Sequence, residues 1–352
     1  MRPVVRAAFS DRFFSSIGLI ILVGMVWAAI ASLWSPGTGD SLSLWLSVVV
    51  IMLGGMVMLA AADTLPAEDR VIFGRAIIIS GILFVGFAAY EIFTGGSLLT
   101  IGRAGSGLEI LNRGSAIFAI FLWPVALAIW HRRPIVAIAF LVAGINALLM
   151  LPMFAAVIAA LIGAFVFAMV MIRARPALFV LSVGSILVVL LSPLISLYLA
   201  SPESLIAWFP NLPDSWLHRF YIWEFTGNHI FERPLFGWGF DASRGIQGGA
   251  AQVTDAIAIQ AQALPLHPHN GAIQIWLELG FVGILILMLG IAVVVRRIAE
   301  LPRVAKATAA ATFASWLVLS LLSFGVWQNW WLVVPWLMAA FLVGARADHS
   351  KT

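Results

Sequence analysis

Apolar residues run along this chain in long unbroken blocks, and short stretches between them carry the charges, prolines and glycines. Such blocks predict membrane-spanning helices, because a bilayer core takes about 20 apolar residues of helix. The first four blocks are residues 17–34, 42–62, 71–90 and 115–130. The apolar stretch 135–172 is too long for one crossing and divides at Leu151-Pro152, since proline ends or kinks a helix. Residues 177–200, 270–295, 306–324 and 328–343 follow, which makes ten predicted spans. The first block is followed by many more, so it reads as a first span rather than a cleaved leader. The runs do not alternate as barrel strands do, and none repeats the polar stripe of a soluble bundle. The expected fold is all-α: a polytopic transmembrane helical bundle of about ten spans.

Composition agrees with that pattern. The 352 residues are 62% hydrophobic and only 10% charged, against ~45–50% and ~25% in soluble domains. A soluble enzyme and a disordered chain are both excluded. No cysteine is present, so disulfides, thiol nucleophiles and cysteine-ligated metals are excluded as well.

The formal charge is a modest +4, and its placement says more than its size. With the N-terminus in the cytoplasm, fourteen of the twenty Lys and Arg fall in cytoplasmic segments, among them Arg132, Arg133, Arg296 and Arg297. Five fall outside: Arg103, Arg113, Arg219, Arg233 and Arg244. The positive-inside rule favours this orientation, with both termini cytoplasmic.

Two outer segments stand out, residues 91–114 and 201–269. The chain therefore reads as one integral membrane domain, residues 1–352, with 201–269 as a large outer loop between spans seven and eight. Connections longer than about 15 residues are uncommon and tend to be functional. This loop also holds four of the six histidines: His218, His229, His267 and His269.

Within the loop, Ser215 is placed to cap a helix on which Arg219, Ile222 and Trp223 share a face. An arginine among aromatics at a membrane surface suits an anionic lipid-linked group. The alternative is an amphipathic helix that merely lies on the bilayer. Gly237 and Gly239 predict a tight turn that docks the loop. Residues 245–263 read as a loosely amphipathic segment or lid. His269 or Asn270 is the expected cap of span eight, and a histidine at a helix N-terminus tends to stay neutral, as a general base must. Glu278 enters the same helix and needs a partner there. Trp238 and Trp276 are candidates for stacking on a sugar. Trp327, Trp330, Trp331 and Trp336 fit an interfacial belt. The histidine spacing matches no zinc motif, so neither a metal nor another cofactor is expected.

Arg219, Trp223, the run Arg233-Pro-Leu-Phe-Gly-Trp-Gly-Phe, His269-Asn270 and Leu277-Glu-Leu-Gly-Phe-Val-Gly283 together resemble the O-antigen ligase and polymerase family. That resemblance implies a helical GT-C-like glycosyltransferase in the bacterial inner membrane, active on the periplasmic side and without nucleotide sugars or nucleic acid as partners. It implies a donor glycan on undecaprenyl diphosphate. A ligase would pass it to a lipid A core acceptor, and a polymerase to another lipid-linked repeat. It further implies Arg219 on the donor diphosphate and His269 as base, with Asn112-Arg113 similar to an upstream family element. Arg103, Arg113 and Arg244 are the other diphosphate candidates, and Asn112, Gly237, Gly239, Asn270 and Glu278 the supporting ones. Membrane lipids and polysaccharide assembly proteins are the remaining expected partners. The chain departs from the family in two ways. It has fewer spans than most members, and residues 149–153 carry no arginine where members often have one.

Two competing readings stand beside this one. A flippase for a lipid-linked anion would also want outer arginines, but it needs ionisable groups deep in the spans, and few occur. Nor would a flippase need the His-Asn pair outside the membrane. The third reading is a non-catalytic scaffold in a polysaccharide assembly complex, and loss of transfer with intact complex formation in His269→Ala would argue against it.

Overall fold

The structure is a computed structural model, and it describes residues 12–36, 41–101, 108–199, 201–209, 211, 213–253 and 261–345, with side chains from Ser16 onward. Every apolar block is helical. α1 is Arg12–Ala31, α2 Ser41–Asp63, α3 Ala67–Thr94, α4 Asn112–Trp130 and α5 Pro134–Leu149. α6 is Phe154–Leu194, and the loop carries α7 (Pro202–Trp208) and α8 (Asp214–Glu232). α9 (Gly271–Ala299), α10 (Arg303–Leu322) and α11 (Asn329–Gly344) complete the chain.

Seven helices are long and apolar enough to cross a membrane, and α5 and α11 are shorter apolar helices. The helical run Phe154–Leu199 covers 46 residues. At about 1.5 Å per residue that is about twice a bilayer core. It breaks at Arg173, whose φ of −140° and ψ of 84° are not helical. Counting it as two crossings gives each of the ten apolar blocks its own segment. The division expected at Leu151-Pro152 is present too, as the interruption between α5 and α6. The protein is a multi-pass helical membrane protein.

The bundle has a centre and a rim. α4 and α10 are largely enclosed, whereas α1, α2 and α3 turn most of their apolar surface outward, where lipid would meet it. Residues 307–312 of α10 are all Ala or Thr, and small residues let membrane helices approach closely. At the centre the Trp123 indole N–H donates to Ser315 Oγ at 3.0 Å, and the Ser315 hydroxyl donates to the Ala159 carbonyl at 2.9 Å. Three helices are thus joined by polar contacts that lipid could not replace.

The connections sort to two ends. At one, Arg303 donates to the Met171 carbonyl beside the break in α6, and Arg70 donates to the Asp63 and Leu65 carbonyls. At the other, Trp34 contacts residue 237, Arg113 contacts Trp330, and residues 267–269 contact 323–328. Segments that alternate in sequence therefore meet as alternating crossings require. Arg2, Arg6, Arg346 and Lys351 lie outside the described residues.

Candidate functional site

α8 brings the loop down onto the bundle. It starts at Asp214 after Pro213 and has no side-chain cap, so the cap expected from Ser215 is not formed. Leu217, Ile222, Trp223, Thr226, Gly227 and Ile230 are buried. A Cβ at Gly227 would lie 2.9 Å from Leu197, which shows how closely α8 packs on the end of α6. The reading of α8 as a helix that only floats on lipid is therefore corrected: its apolar face is covered by protein. The described residues of the 245–263 segment, 245–253 and 261–263, are also tied down, through bonds such as Val253 N–H to the Ala261 carbonyl at 2.7 Å. Residues 254–260 lie outside the described residues.

The glycine turn docks as expected, and its target is a broken helix. Gly280, with φ 64° and ψ −162°, interrupts α9. A break frees backbone groups that must find partners inside a membrane protein. Here the Trp238 and Gly239 N–H groups donate to the Leu277 and Glu278 carbonyls at 2.8 and 2.9 Å. In return the Phe281 and Val282 N–H groups donate to the Pro234 and Leu235 carbonyls at 2.9 and 3.3 Å. The Trp27 indole N–H takes the Leu279 carbonyl at 3.0 Å. No side chain fits between these backbones: a Cβ at Gly237 would lie 2.6 Å from the Glu278 carbonyl, and one at Gly239 2.5 Å from Ser35. At 29 residues α9 would be about 43 Å long if straight, more than a bilayer core. Its first nine residues instead run from Ser320 on α10, past Val189 on α6, to Trp27 on α1.

Asn270 caps this bent helix. Its Oδ1 accepts the Ala272 and Ile273 N–H groups at 3.0 and 3.2 Å. Just before it, His269 adopts a positive φ of 54°. Its Nδ1 lies 3.0 Å from the Ser323 carbonyl. A carbonyl only accepts, so Nδ1 carries the proton and Nε2 keeps a lone pair. The His267 ring sits edge-on at 4.4 Å. His267 Nδ1 accepts the His269 N–H at 3.2 Å, and its Nε2 lies 2.9 Å from the Gln328 amide. Burial holds His269 below the usual imidazole range. The Ser323 carbonyl opposes that shift, while Arg219 and His218 add to it. Burial, then His269 and Arg244, push His267 down to about 3.

Arg219 thus lies within electrostatic reach of His269. Trp223, on the next turn of α8, donates to the Pro268 carbonyl at 2.8 Å and fixes the histidine loop beside it. The Arg219 guanidinium lies over Trp216 at 5.4 Å, and among the described residues no carboxylate pairs with it. Burial lowers its pKa from the ordinary value. A half-buried, unneutralised guanidinium beside a neutral imidazole is an arrangement that takes an anion.

The other sequence candidates fall in three groups. Arg244 is at the site's edge, paired with Asp241 at 3.1 Å and felt by His267. Arg113 lies over Trp330 at 5.6 Å, next to Asn112 at the start of α4. Arg103 lies outside the described residues. Trp276 is corrected from sugar platform to packing residue: it is 9% exposed, donates to the Val189 carbonyl and packs against Phe281. Trp238 carries the Arg233 guanidinium on its ring at 4.1 Å and donates to the His229 carbonyl.

Glu278 is fully buried and does not touch His269. It accepts from the Asp241 N–H, the Ser243 hydroxyl, the Gln274 amide and the Trp327 indole. Trp327 is therefore no plain belt residue. The sequence reading also passed over Gln274, Ser323 and Gln328. Gln274 lies four residues before Glu278 in an apolar helix, and that spacing was the available signal.

Comparison with known proteins finds similarities to this chain. A family described as O-antigen ligase matches residues 139–288, which include Arg219, His269 and the break at Gly280. A protein of Rickettsia conorii, provisionally named a polysaccharide ligase, is 26% identical over 318 residues, covering 89% of this chain and 76% of its own. Its Rickettsia bellii counterpart is 27% identical over 315 residues, covering 87% and 74%. One from Rickettsia prowazekii is 26% identical over 337 residues, covering 93% and 80%. The likeness to the O-antigen ligase family read from the motifs is thereby shown.

Proposed function

We propose that this chain, similar to the O-antigen ligase family over residues 139–288, is a membrane glycosyltransferase of the polysaccharide ligase kind. It takes a glycan from undecaprenyl diphosphate at the periplasmic face of the inner membrane and passes it to a lipid A core sugar. The single observation that carries this reading is that His269, protonated on Nδ1 by its bond to Ser323, sits on a loop that Trp223 ties to the helix bearing the unneutralised Arg219.

The chemistry follows from those two groups. His269 Nε2 takes the proton from the acceptor hydroxyl as that oxygen attacks the anomeric carbon of the donor sugar. The bond between that carbon and the diphosphate oxygen breaks, and its electron pair leaves with the lipid diphosphate. Arg219 meets the developing charge, because its planar fork donates paired hydrogen bonds to phosphate oxygens. Arg244, whose charge reaches His267, is a second candidate for the same anion, and Arg113 and Arg103 are the others. Attack from the face opposite the leaving group inverts the anomeric centre.

Deletion of the gene, followed by analysis of surface glycans, tests the reading. The expected outcome is bare lipid A core with long chains accumulating on the undecaprenyl carrier. Single repeats on the core would instead mark a polymerase. His269→Ala should reproduce the deletion, since a general base supplies about 10²- to 10⁴-fold in rate. Normal ligation by His269→Ala in membranes would remove the base assignment.

A further inference from the structure

We infer that Gln274, with Glu278 and Trp327 behind it, is a positioning residue for His269: it holds the 323–328 loop whose Ser323 carbonyl keeps the imidazole proton on Nδ1. The inference rests on the reading of His269 as the base.

Ser323 lies just past the regular part of α10, with φ −138° and ψ −40°. The direction of its carbonyl is therefore set by the loop that follows and not by helix geometry. That loop is held along its length from one side. Gln274 Oε1 accepts the Val326 N–H at 2.8 Å, and Gln274 Nε2 donates to Glu278 at 3.0 Å. The amide can face only one way, since the Val326 N–H is a donor and must meet oxygen. Glu278 also accepts the Trp327 indole N–H. At the far end Gln328 meets His267. Four residues between 267 and 278 thus bind four residues between 323 and 328.

Burying an amide and a carboxylate in an apolar bundle is costly unless every polar atom is satisfied. Here the satisfied network ends on the loop that orients the base. An imidazole with no fixed partner on Nδ1 samples both tautomers, and the one protonated on Nε2 cannot accept a proton there. Freeing Ser323 would therefore lower the competent fraction. It would also remove the one contact that holds the imidazole's basicity up, while burial, Arg219 and His218 continue to press it down. The remaining ionisable neighbour, His267, stays neutral, and Arg244 acts on His267.

The test uses the full-length protein in membrane vesicles supplied with undecaprenyl-diphosphate-linked O-antigen and lipid A core. Gln274→Met keeps side-chain length and removes both hydrogen bonds. Trp327→Phe removes the indole N–H while keeping an aromatic ring against Phe240, and serves if Gln274→Met does not accumulate. The expected result is a kcat lowered about tenfold or more, an unchanged donor KM, and an acidic limb of the pH–rate profile moved to lower pH. A lower rate with an unmoved limb means plain structural damage and overturns the inference, as does a wild-type rate. His269→Ala, run in parallel, separates the two levels. If it transfers normally, the base assignment itself fails. If it is inactive while Gln274→Met and Trp327→Phe behave as wild type, only the positioning role fails.

Discussion

At the scale of single residues, the proposed chemistry turns on which groups are neutralised and which are not. Glu278 is the most enclosed ionisable side chain of the region, and its oxygens are fully engaged with hydrogen-bond donors. Arg219 is the reverse case, a cation held by an aromatic ring and by no carboxylate among the described residues. A charge-assisted bond to phosphate is worth about 1.5–3 kcal/mol, so Arg219→Ala should weaken donor use about tenfold to a hundredfold. The change should appear in the donor KM more than in acceptor saturation. Arg219→Lys should recover only part of it, because an ammonium offers a point charge without the fork. A donor KM unchanged in Arg219→Ala would move the diphosphate to another arginine.

At the scale of elements, the site depends on a helix that is capped at one end and broken nine residues later. Asn270 satisfies two N–H groups at the start of α9. Asn270→Ala should cost about 1 kcal/mol, read as a lower unfolding temperature in detergent, while Asn270→Ser should cost less. The break is stricter. Gly280 occupies a backbone region open essentially to glycine alone, and a Cβ there would lie 2.4 Å from the Leu235 carbonyl. Gly280→Ala should therefore cost on the order of 3 kcal/mol or more and lower the amount of folded protein recovered from membranes. Wild-type yield and melting of Gly280→Ala would mean that the docked turn is not needed to hold α9.

At the scale of the whole molecule, the loop and the bundle form one structure, and acid should loosen the join between them. His267 is held at about 3 in the folded protein, against about 6.5 in an unfolded chain. The sign follows from linkage: the unfolded state binds the proton first, so the contribution is complete above about 6.5 and is lost as pH falls toward 3. His269 is shifted the same way. The unfolding midpoint in detergent should drop as pH falls through 6 to 4. His267→Gln should flatten that slope, and an equal slope in wild type and variant would count against the argument.

Ten apolar blocks and the family likeness of the loop could both be read from the chain alone. Hydropathy is a local property: a segment of about 20 apolar residues commits itself to the membrane whatever its neighbours do. His269, Arg219, Asn270 and the two turn glycines were legible for a related reason, since each belongs to a short contiguous motif. What the chain alone did not disclose are the pairings between distant segments. Ser323 follows His269 by 54 residues, Val326 follows Gln274 by 52, and Trp27 precedes Leu279 by 252. Trp276 and Trp327 look alike as indoles in an apolar sequence. Only packing decides that one fills the core against Val189 and the other donates to Glu278. Side-chain hydrogen bonds of this kind are set by where the helices end up, and that position depends on the whole bundle at once.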